Sequence, residues 1–265
     1  MRPGGAITGG AATPTLETKN LTIRFGGHVA VDSVTCAFRP GELTAIVGPN
    51  GAGKTTYFNL MSGQLRATSG AVLINGADVT QRSAPQRARL GLGRAFQLTN
   101  LFPGLSVMEN VRLATQATAG VHYDVIRPWM LRRDLIERAY AVIREVGLES
   151  KRNQRAAALS HGDQRKLEVA MMMALEPEIF MFDEPTAGMS VDDVPPVLDL
   201  IARLKRDKEK TILLVEHKMD VVRSLADRII VLHNGRLAAD GEPTAVIVSP
   251  IVQEAYLGVV KGGAA

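Results

Sequence analysis

Residues 43–63 read LTAIVGPNGAGKTTYFNLMSG. The apolar run Leu43–Val47 suits a strand and leads into Gly48–Thr55, GPNGAGKT, which satisfies G-x-x-x-x-G-K-[ST] at every position. The residues that follow suit a helix, so the motif stands in the strand–loop–helix setting it requires. Gly48, Gly51 and Gly53, with Pro49, Asn50 and Ala52 between them, let the backbone wrap until its N–H groups point at phosphate oxygens. The helix N-terminus adds the positive end of its dipole. Lys54 is expected to reach the β- and γ-phosphates, Thr55 to ligate Mg²⁺ through its hydroxyl, and Thr56 to touch the α-phosphate side. A chance glycine-rich turn is the alternative, but the full match in the right setting favours binding of a nucleoside triphosphate.

Working outward, LTIRF (21–25), VTCAF (34–38) and AVLI (71–74) have the residues of short strands, divided by Gly26-Gly27, Pro40-Gly41 and Asn75-Gly76. The pattern then turns helical. Ser106 with Glu109 three residues on is a capping-box start. Apolar residues at 135, 136, 139, 142, 143 and 146 follow helical spacing until Gly147 stops them. Farther on, IFMF (179–182) and TILLV (211–215) are expected strands either side of a helix opened by Pro195-Pro196. A helix over Val221–Leu225, strand RIIVL, the turn Asn234-Gly235 and RLAAD complete the pattern. This alternation predicts an α/β fold with parallel strands, interrupted over about residues 98–157 by a helical region. No sequence repeat is evident, so one catalytic module is expected.

Composition narrows the class. The chain has 265 residues, 46% hydrophobic and 22% charged, as in ordinary globular proteins. No apolar run approaches the ~20 residues of a membrane-spanning helix. The first residues, MRPGGAITGGAATPT, lack the apolar stretch of a signal peptide and read as a flexible tail. A single cysteine, Cys36, excludes an internal disulfide and fits a reducing compartment. A formal charge of +4 would allow nucleic-acid or anionic-lipid partners, yet the basic residues are scattered and aromatics make up only 5%. No aromatic-studded basic groove is apparent, and no nucleic acid is expected as a partner.

A second chemical signal is Asp183-Glu184, reached directly from the apolar run 179–182. A buried parallel strand ending in carboxylates delivers them to the sheet edge where open α/β folds bind ligands. Asp183 is expected to hold Mg²⁺, mostly through its water shell, and Glu184 to polarise the water that attacks the γ-phosphate. A solvated strand-end pair is the bland alternative. Ser160-His161, in LSHGDQRKLEVA, has no G-x-S-x-G elbow around it and is not expected to be a nucleophilic pair. S-H-G-D is instead a capping box, opening a helix whose buried stripe is expected at Leu167, Ala170, Met171 and Ala174. Such a terminus also binds anions, which makes sense beside the first phosphate loop if it serves another subunit's nucleotide.

LSHGDQ resembles the LSGGQ signature of the ATP-binding-cassette (ABC) ATPases, with His161 replacing a glycine and Asp163 the glutamine. The resemblance spans roughly residues 16–258, with the motifs in family order. It implies a RecA-like P-loop NTPase core with an antiparallel β subdomain and an inserted α-helical subdomain. The corresponding division is 1–14 tail, 15–97 with 158–245 core and β subdomain, 98–157 helical subdomain, and 246–265 C-terminal helix and tail. It further implies a head-to-tail dimer holding two ATP molecules, in which Ser160 and Gly162 contact the γ-phosphate in trans. Phe25 resembles the aromatic that stacks on adenine, although a core strand residue would read the same. Gln97, in RAFQLTNLF, matches the loop glutamine that senses Mg²⁺ and the γ-phosphate; an exposed loop residue is its alternative. His217, in TILLVEHKMD, matches the switch histidine. Met189-Ser190 stands where the family often has Leu-Asp, so no cross-dimer contact is assigned there.

RFGGHVAVDSV, GRAFQLTNLFPGLSVMENV, DEPTAGMS and QEAYLG are together similar to the ATPase subunits of bacterial branched-chain amino acid importers. That implies two integral membrane permeases, a second ATPase subunit (self or paralogue), a periplasmic binding protein acting indirectly, and a peripheral place on the cytoplasmic face of the inner membrane. Related systems for urea, amides or aromatic acids, lipid exporters, and soluble non-transport ABC ATPases remain alternatives. Residues 121–134 resemble the helical insertion of this subgroup, where Tyr123 and Trp129 face a permease or pack locally.

Overall fold

The computed structural model describes residues 13–95, 101–118, 133–249 and 252. In chain order these form β1 (Leu16–Phe25), β2 (His28–Phe38), β3 (Leu43–Val47), α1 (Lys54–Ser62), β4 (Ser69–Ile74), β5 (Ala77–Asp78), α2 (Ala84–Ala88) and β6 (Leu92–Ala95). Then come α3 (Val107–Thr118), α4 (Arg133–Glu145), α5 (His161–Ala174), β7 (Ile179–Asp183), α6 (Val194–Leu204) and β8 (Thr211–Val215). The order ends with α7 (Met219–Leu225), β9 (Arg228–His233), β10 (Arg236–Gly241) and α8 (Pro243–Ile247).

One sheet has the order β10-β9-β3-β8-β7-β6, and the other β2-β1-β4-β5. The four pairings among β9, β3, β8, β7 and β6 are parallel, and β10 joins the edge antiparallel. Strands β3, β7 and β8 are buried at every residue, as strands covered on both faces must be. The side-chain period of two then sorts each strand between two cores. Phe180 and Phe182 of β7, with Ile212 and Leu214 of β8, enter a cluster shared with Val111, Ala139, Ile143 and Leu167. Ile179, Met181, Leu213 and Val215 enter the opposite cluster with Tyr57, Phe58 and the β1–β2 residues Leu21 and Phe38. Each such side chain contributes roughly 1.5–3 kcal/mol of burial. The core thus clamps the strands that lead into Gly48–Thr55, Asp183-Glu184 and His217.

The second sheet is antiparallel throughout, with Leu16 opposite Phe38 and Ile74 on its two sides. The Ser106–Glu109 capping box forms as expected: the Glu109 amide donates to Ser106 Oγ at 3.2 Å, and the Ser106 amide donates to Glu109 Oε2 at 2.9 Å. Gly147 ends the next helix at φ 74°. Along α5, Leu167, Ala170 and Ala174 are buried as predicted, but Met171 is only partly so, while Met172 is buried. The helix is covered on more than one side, so its buried residues exceed a single stripe. Among the described residues no helix is long and apolar enough to cross a membrane. Most of 1–14, 121–134 and 246–265, including Tyr123 and Trp129, lies outside the described residues.

Candidate nucleotide site

The Gly48–Thr55 loop joins the C-terminal end of β3 to α1. Two of its glycines are dictated by close approach. A Cβ on Gly48 would stand 2.2 Å from the Leu232 carbonyl oxygen, and one on Gly53 would stand 2.4 Å from that of Ala30. Gly51 meets nothing within 4 Å but has φ 79°, a left-handed conformation that glycine adopts without steric cost. Lys54 folds back across the loop, its Nζ donating to the Gly48 and Pro49 carbonyls at 2.7 and 2.9 Å. Burial pushes the Lys54 ammonium below its ordinary pKa, and the carboxylates of Glu184 and Asp183 pull it back up. Asn50 and Thr55 are exposed, Thr56 half-buried and Ala52 buried.

Because β7 and β8 are adjacent parallel strands, and β8 is adjacent to β3, their C-terminal ends gather beside this loop. Asp183 closes β7 and is 3% exposed. Its Oδ2 accepts from Arg94 Nη2 at 2.8 Å, while its buried Oδ1 has no hydrogen-bond partner among the described residues. Burial raises the Asp183 pKa against the lowering effect of Arg94. An acceptor oxygen left in this position fits the all-oxygen shell of a hard divalent cation. Glu184 follows at φ 50°, a left-handed conformation that costs a non-glycine residue on the order of 1–3 kcal/mol. Its amide donates to the Val215 carbonyl at 2.9 Å, which ties the turn to β8. Glu184 Oε1 lies 2.7 Å from His217 Nε2. Two residues 33 apart in sequence, on different loops, are thus brought into direct contact.

Ser160 caps α5, its Oγ accepting from the Asp163 amide at 3.3 Å. The Asp163 carboxylate is held by Lys151 and Lys166. Gly162 lets the Asp193 carboxylate approach, since a Cβ there would lie 2.5 Å from Asp193 Oδ1. Ser190 donates its hydroxyl to Asp193 Oδ2 at 2.7 Å, which gives that residue a partner within the chain. His161 and Ser160 are exposed. These contacts of the helix start are with Asp163 and Asp193, neither of which lies in the Gly48–Thr55 loop. Phe25 ends β1 and is 50% exposed, which removes the core-strand alternative for it. Gln97 lies outside the described residues.

Sequence reasoning missed two residues at the site. Arg94 on β6 donates to Asp183, to Asn59 Oδ1 and Ser62 Oγ of α1 at 2.7 Å each, and lies 5.1 Å from the Phe58 ring centroid. Glu216, just before His217, is buried and accepts the His217 amide at 2.7 Å. Both are polar residues whose partners are distant in sequence or on the backbone, a combination that leaves no local motif.

Residues 31–187 match the family described as ABC transporter. The chain is 38% identical over 250 residues to the high-affinity branched-chain amino acid transport ATP-binding protein LivG of Escherichia coli (strain K12), covering 92% of this chain and 98% of that protein. It is 36% identical to the corresponding protein BraF of Pseudomonas aeruginosa, with the same coverage. Among solved structures it is similar to the ADP conformation of an ATP-binding cassette of an ABC transporter, with a TM-score of 0.80 and 26% identity over 93% of this chain and all of that one. A dimeric, post-hydrolysis cassette bound to ADP and Pi aligns with a TM-score of 0.73 and 26% identity, covering 86% of this chain and 98% of that one.

Proposed function

The chain belongs to the ABC transporter family and is an ATPase with its P-loop NTPase fold, and we propose that its hydrolysis of ATP drives uptake of branched-chain or related amino acids. The observation that carries the reading is the meeting of Lys54, Asp183, Glu184 and His217 at the ends of three neighbouring parallel strands. The names of the LivG and BraF relatives support the cargo.

In this reading Gly48–Thr56 cradles the phosphates, Lys54 leaves its loop carbonyls for the β- and γ-phosphates, and Phe25 stacks on adenine. Thr55, Asp183 and Gln97 would hold Mg²⁺, which would supply charge neutralisation at the phosphates when bound. Glu184 orients the attacking water, and His217 contacts the γ-phosphate and steadies Glu184. Ser160 and Gly162 act on the nucleotide of a second ATPase subunit in a head-to-tail dimer. Contacts to the γ-phosphate that exist only in the closed dimer supply the differential energy, and hydrolysis removes them. The helical region 98–157 of each ATPase subunit, docked to one of two integral membrane permeases at the cytoplasmic face of the inner membrane, passes closure to it. A periplasmic binding protein delivers the amino acid.

Uptake of labelled leucine, isoleucine and valine by cells lacking the chain tests this. Restoration by the parent chain, and not by Glu184→Gln, is expected. Uptake unchanged by the chain's removal would reject the cargo.

A further inference from the structure

Glu216 is a buried carboxylate, 3% exposed, whose partners come from two different loops. Its Oε2 accepts the backbone N–H groups of His217 at 2.7 Å and Lys218 at 3.2 Å. Its Oε1 accepts the hydroxyl of Thr186, which is 1% exposed and stands two residues beyond Glu184. All these partners are N–H groups or a hydroxyl, so both buried oxygens have hydrogen-bond donors. One side chain therefore joins the loop after β8 to the loop after β7. Those are the loops that present His217 and Glu184.

We propose that Glu216 and Thr186 form a clasp that sets the separation of Glu184 and His217, making both positioning residues for ATP hydrolysis. The inference rests on the roles given above to Glu184 and His217. The two catalytic side chains are themselves accessible, at 21% for Glu184 and 39% for His217, and surrounding packing alone does not fix them. What fixes their backbones is shared. Glu184 is held to β8 by its amide bond to Val215, and the turn after it closes through the Ala187 amide to the Glu184 carbonyl at 3.0 Å. Thr186 lies inside that turn and is anchored to Glu216, whose other oxygen holds the amides beginning the His217 loop. Releasing the clasp lets the two loops drift apart without disturbing the phosphate loop, whose contacts lie elsewhere.

The full chain with Thr186→Val, Glu216→Gln and Glu216→Ala provides the test. Valine keeps the shape of threonine and removes only the hydroxyl. Glutamine can preserve the clasp without the charge: its amide oxygen accepts the two backbone N–H groups, and its NH₂ donates to a Thr186 hydroxyl that has turned to accept. The expected result is a fall in kcat of about tenfold to a hundredfold in Thr186→Val and Glu216→Ala, with KM for ATP little changed. Glu216→Gln should recover most of that loss. Proton–nitrogen spectra of the imidazole at fixed pH, recorded without nucleotide, should show the His217 signals displaced or broadened in Thr186→Val. Parent-like kcat and His217 signals in Thr186→Val would overturn the clasp, as would a Glu216→Gln as impaired as Glu216→Ala. The spectra need no turnover, so a parent chain that failed to hydrolyse ATP would count against the functional reading and leave the clasp to be decided by the His217 signals.

Discussion

Glu184 Oε1 and His217 Nε2 meet at 2.7 Å across the ends of β7 and β8. A carboxylate and an imidazole in this contact restrain one another's orientation. The parallel register of the two strands, with Asp183 opposite Val215, brings the loops that carry Glu184 and His217 side by side.

Replacing Glu184 by Gln keeps the shape and removes the basic carboxylate. ATP binding should survive and turnover should fall about 10²- to 10⁴-fold, the range of a general base. Single-turnover hydrolysis measured beside equilibrium ATP binding checks both parts. Near-normal turnover would remove Glu184 from the role.

Gly53 and Gly51 should respond differently to alanine. Both have positive φ, but only at Gly53 does a Cβ collide with backbone, the Ala30 carbonyl. Gly51→Ala should lose about 1–2 kcal/mol from its left-handed conformation alone. Gly53→Ala should lose about 2–4 kcal/mol, since the collision adds to the strain, together with most of its ATP affinity. Urea unfolding of the two variants side by side reads the difference.

Arg94 and Asp183 form a buried pair at 2.8 Å, with side chains 7% and 1% exposed. Removing one member of such a pair strands the other. Arg94→Ala should therefore cost about 3–5 kcal/mol in chemical denaturation, more than its distance from the phosphate loop would suggest. A loss under 1 kcal/mol would mean that water or another donor replaces the guanidinium freely.

Asp163 gives a pH dependence. Burial works to raise its pKa, but hydrogen bonds from Lys151 and Lys166 outweigh that, and the net shift is downward from 3.8. A depressed folded-state pKa contributes stability above the unfolded value and loses it as pH falls through the folded one. Lys151→Met should therefore be less stable than the parent near neutral pH, by a modest amount because Lys151 is partly exposed. The gap should close below about pH 4, the ordinary carboxylate range. Thermal melts of both chains across pH 3–7 measure it.

The sequence was most legible where function is contiguous. The run Gly48–Thr56 could be read because a loop proposed to hold phosphates needs its amides, lysine and hydroxyls consecutive. Asp183-Glu184 and His217 were readable because each ends an apolar strand run, which places it at the sheet edge. Strand β6 was not read, since LGRA is short and half of it is glycine and arginine. Its Arg94 acts on Asp183 across 89 residues of sequence, a pairing that only the parallel β6–β7 register creates. Arg87 escaped for the same reason: its Nη1 donates to the α1 carbonyls of Leu60 and Met61 at 2.7 Å each, so a buried charge secures a helix end that carries no local signal. The buried face of α5 was drawn too narrowly, because periodicity assumes one packing partner and this helix touches α3, α4 and α6.

Isolating the tagged chain from gently solubilised native membranes and identifying its stoichiometric partners by mass spectrometry tests the transport assignment most directly. Recovery of two different integral membrane permeases together with an ATPase partner, either a second copy or a paralogue, is the predicted result. Recovery with ribosomal proteins, DNA-repair factors or lipid-export components, and no such permeases, would contradict it.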